Sequence, residues 1–398
     1  MPTRTMGFPA NKPQTQAAGR ARQVIFSFDD LTWAAAQARE MFSPQDQLAL
    51  ALLDDPELDR VLICDRPRSA PIKLAKDLIH RPLKFNSSLR DGHWQPLRWR
   101  RREPVSIAAL ERVYRVYDRR LRRVAERHGM ERPAVITVQP FIAGFAPLEW
   151  AGPVTLFAND DLSAHPDYQR WRPSLLEAYR RVARDGRRLC AVSEAIVERV
   201  SPRGPAAVVP NGVDAGMWLA PGAPPAWFER LPGPRLFYVG TIDSRIDTEA
   251  LRAVARAWPE GTVVLVGLVT EPDHLAAALA EPNVVSHDSV PRDQVAALCH
   301  AADVCLLPHR QTPLTEAMSP LKLYEYLASG TPTVATDLEP VRRADAPVVR
   351  VAPGGDFVAG VREALATGAV SETERQGFIA RNSWATRSAE VLDLALTL

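Results

Sequence analysis

Cysteine is scarce, with four among 398 residues. Cys64, Cys190, Cys299 and Cys305 show none of the paired spacings that bind zinc, and three of them sit in apolar, strand-like runs. Buried free thiols in a reducing cytosol are therefore expected, with no metal site. No apolar run approaches the roughly 18 residues that a membrane-spanning helix requires. The first twenty residues have no apolar core of the signal-peptide kind and are read as a disordered leader. A Gly-x-Gly-x-x-Gly fingerprint is missing from both halves of the chain, which argues against a dinucleotide-dependent oxidoreductase. Net charge is also small, at +2.

That near-neutrality hides an asymmetry. Residues 1–210 hold 34 Lys and Arg against 24 Asp and Glu, whereas the remainder holds 15 against 23. A basic first half and an acidic second half suggest two domains with different partners. Length supports the same division, because 398 residues exceed one ordinary core. A hydrophobic content of 46% with 24% charged residues is that of a globular protein, and the 35 prolines mark many element ends. The expected division is a leader at 1–20, a first domain at 21–210, a linker at 211–234, a second domain at 235–380 and a closing helix at 381–398 that returns to the first domain.

Short apolar runs alternate with helical patterns throughout. In the first half, strands are expected at 24–28, 60–65, 135–138, 154–158, 188–192 and 207–209, with helices at 45–53, 107–127 and 175–184. The helix at 107–127 has an apolar stripe of Leu110, Val113, Tyr114, Tyr117, Leu121 and Val124, and an opposite face of Arg112, Arg115, Arg119, Arg122 and Arg123. Residues 66–104 read as irregular and basic, with Phe85, Trp94 and Trp99 interleaved. In the second half, strands are expected at 236–239, 262–266, 284–286, 304–307, 333–335 and 349–351. This alternation implies an α/β fold of two Rossmann-like, doubly wound domains facing a cleft.

One stretch organises the rest. From Met318 to Val334 the sequence predicts a short helix with Ser319 as N-cap, Pro320 at the first helical position, and Gly330 and Pro332 ending it. The helix is apolar almost all round except for Lys322, Glu325 and Ser329, which share one face. The free N–H groups of Leu321 and Lys322, the positive helix end and the Lys322 ammonium suit a phosphate. Glu325, one turn deeper, can accept from the two vicinal hydroxyls of a ribose. An ordinary Lys–Glu pair on a solvated face is the alternative.

Pro-Leu-Lys-Leu-Tyr-Glu-Tyr-Leu-Ala-Ser-Gly-Thr-Pro, at 320–332, resembles the donor-site helix of group 1 glycosyltransferases of the GT-B fold. Many members carry Glu-x7-Glu, in which the second Glu contacts the nucleotide ribose and the first the donor sugar. Glu325 matches the second. The first falls on Ala317, with Glu316 one place earlier, so the sequence is closer to the Pro-x-Lys-x-x-Glu members such as the xanthan-type glucuronosyltransferases. Asn211-Gly-Val-Asp214 resembles the family's entry to the interdomain linker, and Ser383-Trp384 its closing helix. Ala158-Asn-Asp160-Asp161-Leu-Ser163 resembles a segment whose Asp is the proposed general base.

The resemblance implies a glycosyltransferase that takes a nucleotide diphosphate-sugar donor and a glycan or lipid-linked acceptor, with no cofactor and no metal; the family includes both retaining and inverting members. Gly240, ending a strand, lets backbone approach a diphosphate. Arg245 could supply charge there or pair with Asp243 or Asp247. Arg310, after His309 at the next strand end, could meet the phosphates or stay solvated. Asp160 is the candidate base, with His165 as second candidate; alternatively Asp160 or Asp161 caps the turn. The eighteen Arg and Lys of residues 66–127 suggest a peripheral contact with an anionic membrane, with the protein otherwise cytoplasmic. A nucleotide-sugar epimerase, or a non-enzymatic protein binding glycans or nucleic acid through its arginines, are the alternatives; nucleic acid is not the expected partner.

Overall fold

A computed structural model describes residues 22–29, 32–70, 92–98 and 103–397, with Arg98 by its backbone only. The leader at 1–20 and the residues Asp30, Lys73, Lys76, Arg81, Lys84, Phe85, Arg90 and Trp99 to Arg102 lie outside the described residues.

The strands of the first half are β1 (Gln23–Ser27), β2 (Arg60–Cys64), β3 (Arg68–Ser69), β4 (His93–Trp94), β5 (Leu97–Arg98), β6 (Ala134–Thr137), β7 (Val154–Ala158), β8 (Arg188–Ala191) and β9 (Ala206–Val208). Seven of them form one parallel sheet in the order β4-β2-β1-β6-β7-β8-β9, while β3 and β5 pair separately. The second half contributes β10 (Arg235–Val239), β11 (Thr262–Val266), β12 (Val284–His287), β13 (Val304–Leu307), β14 (Thr333–Thr336) and β15 (Val349–Val351), all parallel, in the order β12-β11-β10-β13-β14-β15. Each half is thus doubly wound: strand order reverses beside β1 in one sheet and beside β10 in the other.

Helices cover both faces of each sheet, so successive strand residues feed different cores. In β1, Val24 and Phe26 join the core containing Leu48, Leu52 and Leu189, while Ile25 joins that of Leu62, Leu110 and Tyr114. In β10, Phe237 and Val239 pack with Leu323 and Tyr326, while Leu236 and Tyr238 pack with Leu251 and Val254. Burial on both faces explains why these strands read as unbroken apolar runs.

The Ile107–Arg127 helix has the bounds its periodicity predicts. Leu110, Tyr114, Tyr117 and Leu121 are buried, and Arg112, Arg115, Arg119, Arg122 and Arg123 are exposed. The expectation of irregular chain at 66–104 is corrected by β3, β4 and β5. Strands of two residues are made by backbone pairing with a neighbour, which leaves no periodic trace in the side chains.

The helix Trp384–Leu396 closes the chain on the first domain. Trp384, Val391, Leu392 and Ala395 are buried in the same core as Val24 and Leu48. The two passages between the halves run side by side: Val213 N–H donates to Asn382 O at 2.8 Å, and Trp384 N–H donates to Val213 O at 3.0 Å. Trp384→Ala should therefore cost about 3–5 kcal/mol, the usual range for emptying a buried tryptophan site. Urea unfolding followed by circular dichroism checks this through a lower midpoint in the variant.

Candidate functional site

In open parallel sheets, ligands bind beyond the carboxyl ends of the strands where the order reverses. In the second domain that point lies between β10 and β13, and the Leu321–Ser329 helix stands over it. The N-cap is Pro320 rather than Ser319, and the helix ends at Gly330 in a left-handed conformation. Ser319 is used differently. Its hydroxyl accepts from Asn211 N–H at 3.2 Å, and its carbonyl accepts from Asn211 Nδ2 at 2.5 Å. The expected cap is instead a tie between the linker and the entry to the helix, and Leu321 packs partly against the first domain's core.

Lys322 reaches back from this helix onto β10. Its ammonium lies over the Tyr238 ring, 4.2 Å from the centroid, and donates to the Tyr238 hydroxyl, which in turn donates to Thr241 O at 2.9 Å. Gly240 ends the strand with φ of 125°, and a Cβ there would stand 2.9 Å from Lys322 Nζ. A side chain at 240 would meet the ammonium, so glycine lets the lysine end lie against the backbone. No salt bridge reaches Lys322 among the described residues. Asp243, the acid that pulls on it most, is clasped by Arg245, with Nε at 2.9 and 3.0 Å from its two oxygens and Nη2 at 2.6 Å. Burial, with Arg245 adding to it, pushes the Lys322 amine down to about 7 against the weaker pull of Asp243 and Glu325.

His309 follows β13 on the other side of the switch point and is 1% exposed. Neither ring nitrogen has a hydrogen-bond partner. Burial first, then Lys322 and Arg245, hold it well below the ordinary histidine range, so the ring is neutral. Arg310 differs: its side chain is exposed, and its N–H donates to Arg245 O at 2.7 Å.

Glu325 is half-buried one turn beyond Lys322, and burial raises its carboxyl while Arg292 and Lys322 oppose that rise. Arg292 stands 3.6 Å from Asp214 of the linker, and its buried Nε has no hydrogen-bond partner. Glu316 points elsewhere, accepting from Glu339 N–H at 2.8 Å and from Gln311 at 2.6 Å. Ala317, at the place of the family's sugar-contacting Glu, is buried and gives its carbonyl to the Ser193 hydroxyl of the first domain at 2.5 Å.

On the first domain, Asp160 ends β7. Its Oδ1 is buried without a hydrogen-bond partner. Burial raises its carboxyl, opposed by His165 and by Arg245 from the second domain, which places the two domains' charged groups within electrostatic range of each other. Asp161 is the residue that caps the turn, accepting from Ser163 N–H at 3.0 Å and from its hydroxyl at 2.6 Å. His165 caps the short turn of helix at Pro166–Trp171, its Nδ1 accepting from Asp167 N–H at 3.2 Å. That bond places the proton of the neutral ring on Nε2. Asp29 accepts from Gln139 Nε2 at 2.5 Å, and Thr32 caps the Trp33–Ala38 helix.

Residues 233–367 match the family model of group 1 glycosyl transferases. The second domain is a group 1 glycosyltransferase domain. TuaH of Bacillus subtilis (strain 168), a protein assigned to teichuronic acid biosynthesis as a glycosyltransferase, is 29% identical over 165 residues, or 39% of this chain and 42% of TuaH. The match therefore spans less than half the length of that relative. Among solved structures, sucrose-phosphate synthase from Thermosynechococcus elongatus superposes with a TM-score of 0.64 at 16% identity, over 94% of this chain and 98% of that one. Anabaena HepE, solved in complex with UDP, gives 0.64 at 14%, over 94% and 100%. At these identities the likeness is one of fold, which is GT-B.

Within the glycosyltransferase domain, Gly240, Arg245, Leu321, Lys322 and Glu325 gather at the switch point, with Arg310 at its rim and Ser319 behind it. Tyr238 and His309 are the members that sequence reasoning did not place in the site. Tyr238 reads as one more apolar strand residue. His309 carried a signal in its position after β13, where strand ends face ligand.

The Lys322 amine carries its full burial penalty below about pH 7, where it is charged in folded and unfolded chains alike; as pH rises towards the ordinary lysine value, the folded amine loses its proton first and the penalty fades. Lys322→Met should accordingly raise the melting temperature of the ligand-free protein most at and below pH 7. The gain should shrink by about pH 9. Thermal melts across that range check both statements.

Proposed function

We propose that this chain is a glycosyltransferase that moves a sugar from a nucleotide diphosphate-sugar to a hydroxyl of a glycan or lipid-linked acceptor, in cell-surface polysaccharide or glycoconjugate synthesis. The observation that carries the reading is the Lys322 ammonium, held at the switch point by a phenol and by no carboxylate of its own, and packed against the bare backbone of Gly240. A half-buried cation without a paired acid suits an anion, and the start of the Leu321–Ser329 helix adds backbone N–H groups beside it.

The chemistry follows from where charge develops. The bond from the sugar's C1 to the diphosphate oxygen breaks, and the departing diphosphate gains negative charge. Lys322, the helix N–H groups and Arg245 lie where that charge grows, and their effect increases towards the transition state. Arg245 must share itself with Asp243 to do so. Glu325 takes the ribose hydroxyls. The acceptor enters from the first domain, where the unpaired Oδ1 of Asp160 can accept the hydroxyl proton. Its raised carboxyl makes it a stronger base than a surface aspartate. His165 is less suited, because its Nδ1 is engaged and its Nε2 carries the proton.

HepE has been solved with UDP, which makes UDP the first nucleotide to try, followed by GDP and dTDP. Asp160→Asn should lower turnover by about 10²–10⁴ while leaving nucleotide affinity in place. Glu325→Ala should weaken nucleotide binding. Turnover assays paired with calorimetric titration of the three nucleotides separate these effects, and unchanged turnover in Asp160→Asn removes it as the base.

The first domain is further proposed to rest on an anionic inner leaflet. The exposed arginines of the Ile107–Arg127 helix surround Val116, which is 37% exposed, and Val105 and Leu97 are exposed nearby in sequence at 43% and 39%. No described helix is long and apolar enough to cross a membrane. Basic residues at such a surface attract anionic headgroups at about 1 kcal/mol each. The protein should sediment with vesicles containing phosphatidylserine at low salt, and release at moderate salt; recovery in the supernatant at low salt overturns the membrane proposal.

A further inference from the structure

We infer that His309 is a third diphosphate-binding group of the donor seat, its imidazole taking up a proton as the diphosphate enters and donating an N–H to a phosphate oxygen. This rests on the nucleotide-sugar reading above and adds a residue and a proton to it.

The geometry starts from what the ring lacks. A neutral imidazole has one N–H to give and one lone pair to fill, and both are unused at a position 1% exposed. Leaving such atoms unpaired costs stability, and a phenylalanine or leucine would fill the same space without that cost. The ring is also held in place. His309 N–H donates to Leu307 O at 3.0 Å, residue 309 bridges to Ile246, and Arg310 N–H donates to Arg245 O at 2.7 Å. Backbone on both sides fixes it at the end of β13, edge-on to Tyr238 with centroids 6.5 Å apart.

Its charged surroundings come from three elements. Lys322 faces it from the Leu321–Ser329 helix, Arg245 from the loop after β10, and Tyr238 from β10 itself. Asp243 faces Arg245, Glu325 stands one turn beyond Lys322, and Asp160 acts on Arg245 from the other domain. Burial first, and then Lys322 and Arg245 beside it, keep the imidazole neutral while the site is empty. A diphosphate brings at least two negative charges into the same space and reverses that field, so the ring gains a proton from solvent and becomes a donor at both nitrogens. No covalent bond changes.

His309→Phe and His309→Gln test this, with calorimetric titration of whichever of UDP, GDP and dTDP binds the native chain. His309→Phe keeps the ring volume and removes both polar atoms. It should melt no lower than the native protein, yet bind the nucleotide about tenfold more weakly or worse. His309→Gln keeps a donor and an acceptor but does not titrate. Between pH 6 and about 8 its affinity should fall less steeply with rising pH than that of the native chain, by up to about one decade per pH unit. Comparison with the native chain cancels the titration of the nucleotide and of Lys322. Native affinity in His309→Phe, or a native pH slope in His309→Gln, overturns the inference and leaves the donor-site reading standing. A native chain that binds none of the three nucleotides overturns the donor-site reading and this inference with it.

Discussion

The second domain is built around an ammonium group that rests on a phenol ring and lacks a carboxylate partner. Desolvating a lysine is expensive, and proteins ordinarily offset it with a paired acid. Here the acid that pulls most on the ammonium, Asp243, is already bound in two places by Arg245. The remaining attraction comes from the face and hydroxyl of Tyr238 and from a more distant Glu325. Gly240 has a φ of 125°, which side chains rarely adopt, and a Cβ there would crowd the ammonium; Gly267 must be glycine because a Cβ would strike the carbonyl of Gly240.

The first domain supplies complementary features. Its strand ends carry Asp160 with a free buried oxygen, and Ser193, whose hydroxyl closes on Ala317 just before the donor helix. Asn211 in the linker holds the hydroxyl and the carbonyl of Ser319. The helix bearing Lys322 and Glu325 is therefore fixed at its entry by groups from outside its own domain. Its far end is fixed as well. Arg375, 5% exposed, donates to Trp218 O at 2.6 Å and to Ala328 O at 3.3 Å. The donor helix is short, and its position owes more to these ties than to its own nine residues.

Much of this arrangement was legible in the sequence, for reasons that can be stated. Strands buried on both faces give continuous apolar runs, and the Ile107–Arg127 helix shows its core side through a clear 3–4 spacing, so both could be read directly. Lys322 and Glu325 stood out because they interrupt an otherwise apolar helix. Other features depend on distance in three dimensions. Asp160 and Asp161 are adjacent and chemically alike, and only the folded turn separates the one that caps from the one with an unpartnered oxygen. Tyr238 supports Lys322 across 84 residues, and no local pattern records that contact. Ser319 has the chemistry of a helix cap and is spent on Asn211 instead. The strands β3, β4 and β5 owe their existence to neighbours rather than to their own composition.

The closing helix has a consequence for the order in which the protein is completed. Trp384, Val391, Leu392 and Ala395 belong to the same core as Val24, Phe26 and Leu48, so the first domain lacks part of its interior until residues 384–395 are in place. During synthesis the amino-terminal sheet would leave the ribosome with an apolar groove uncovered, and it would stay so while the whole second domain is made. Domains of multidomain chains commonly fold in the order they emerge. Here the second domain, whose two cores draw on residues from Val213 to Ile379, can close before the first is finished.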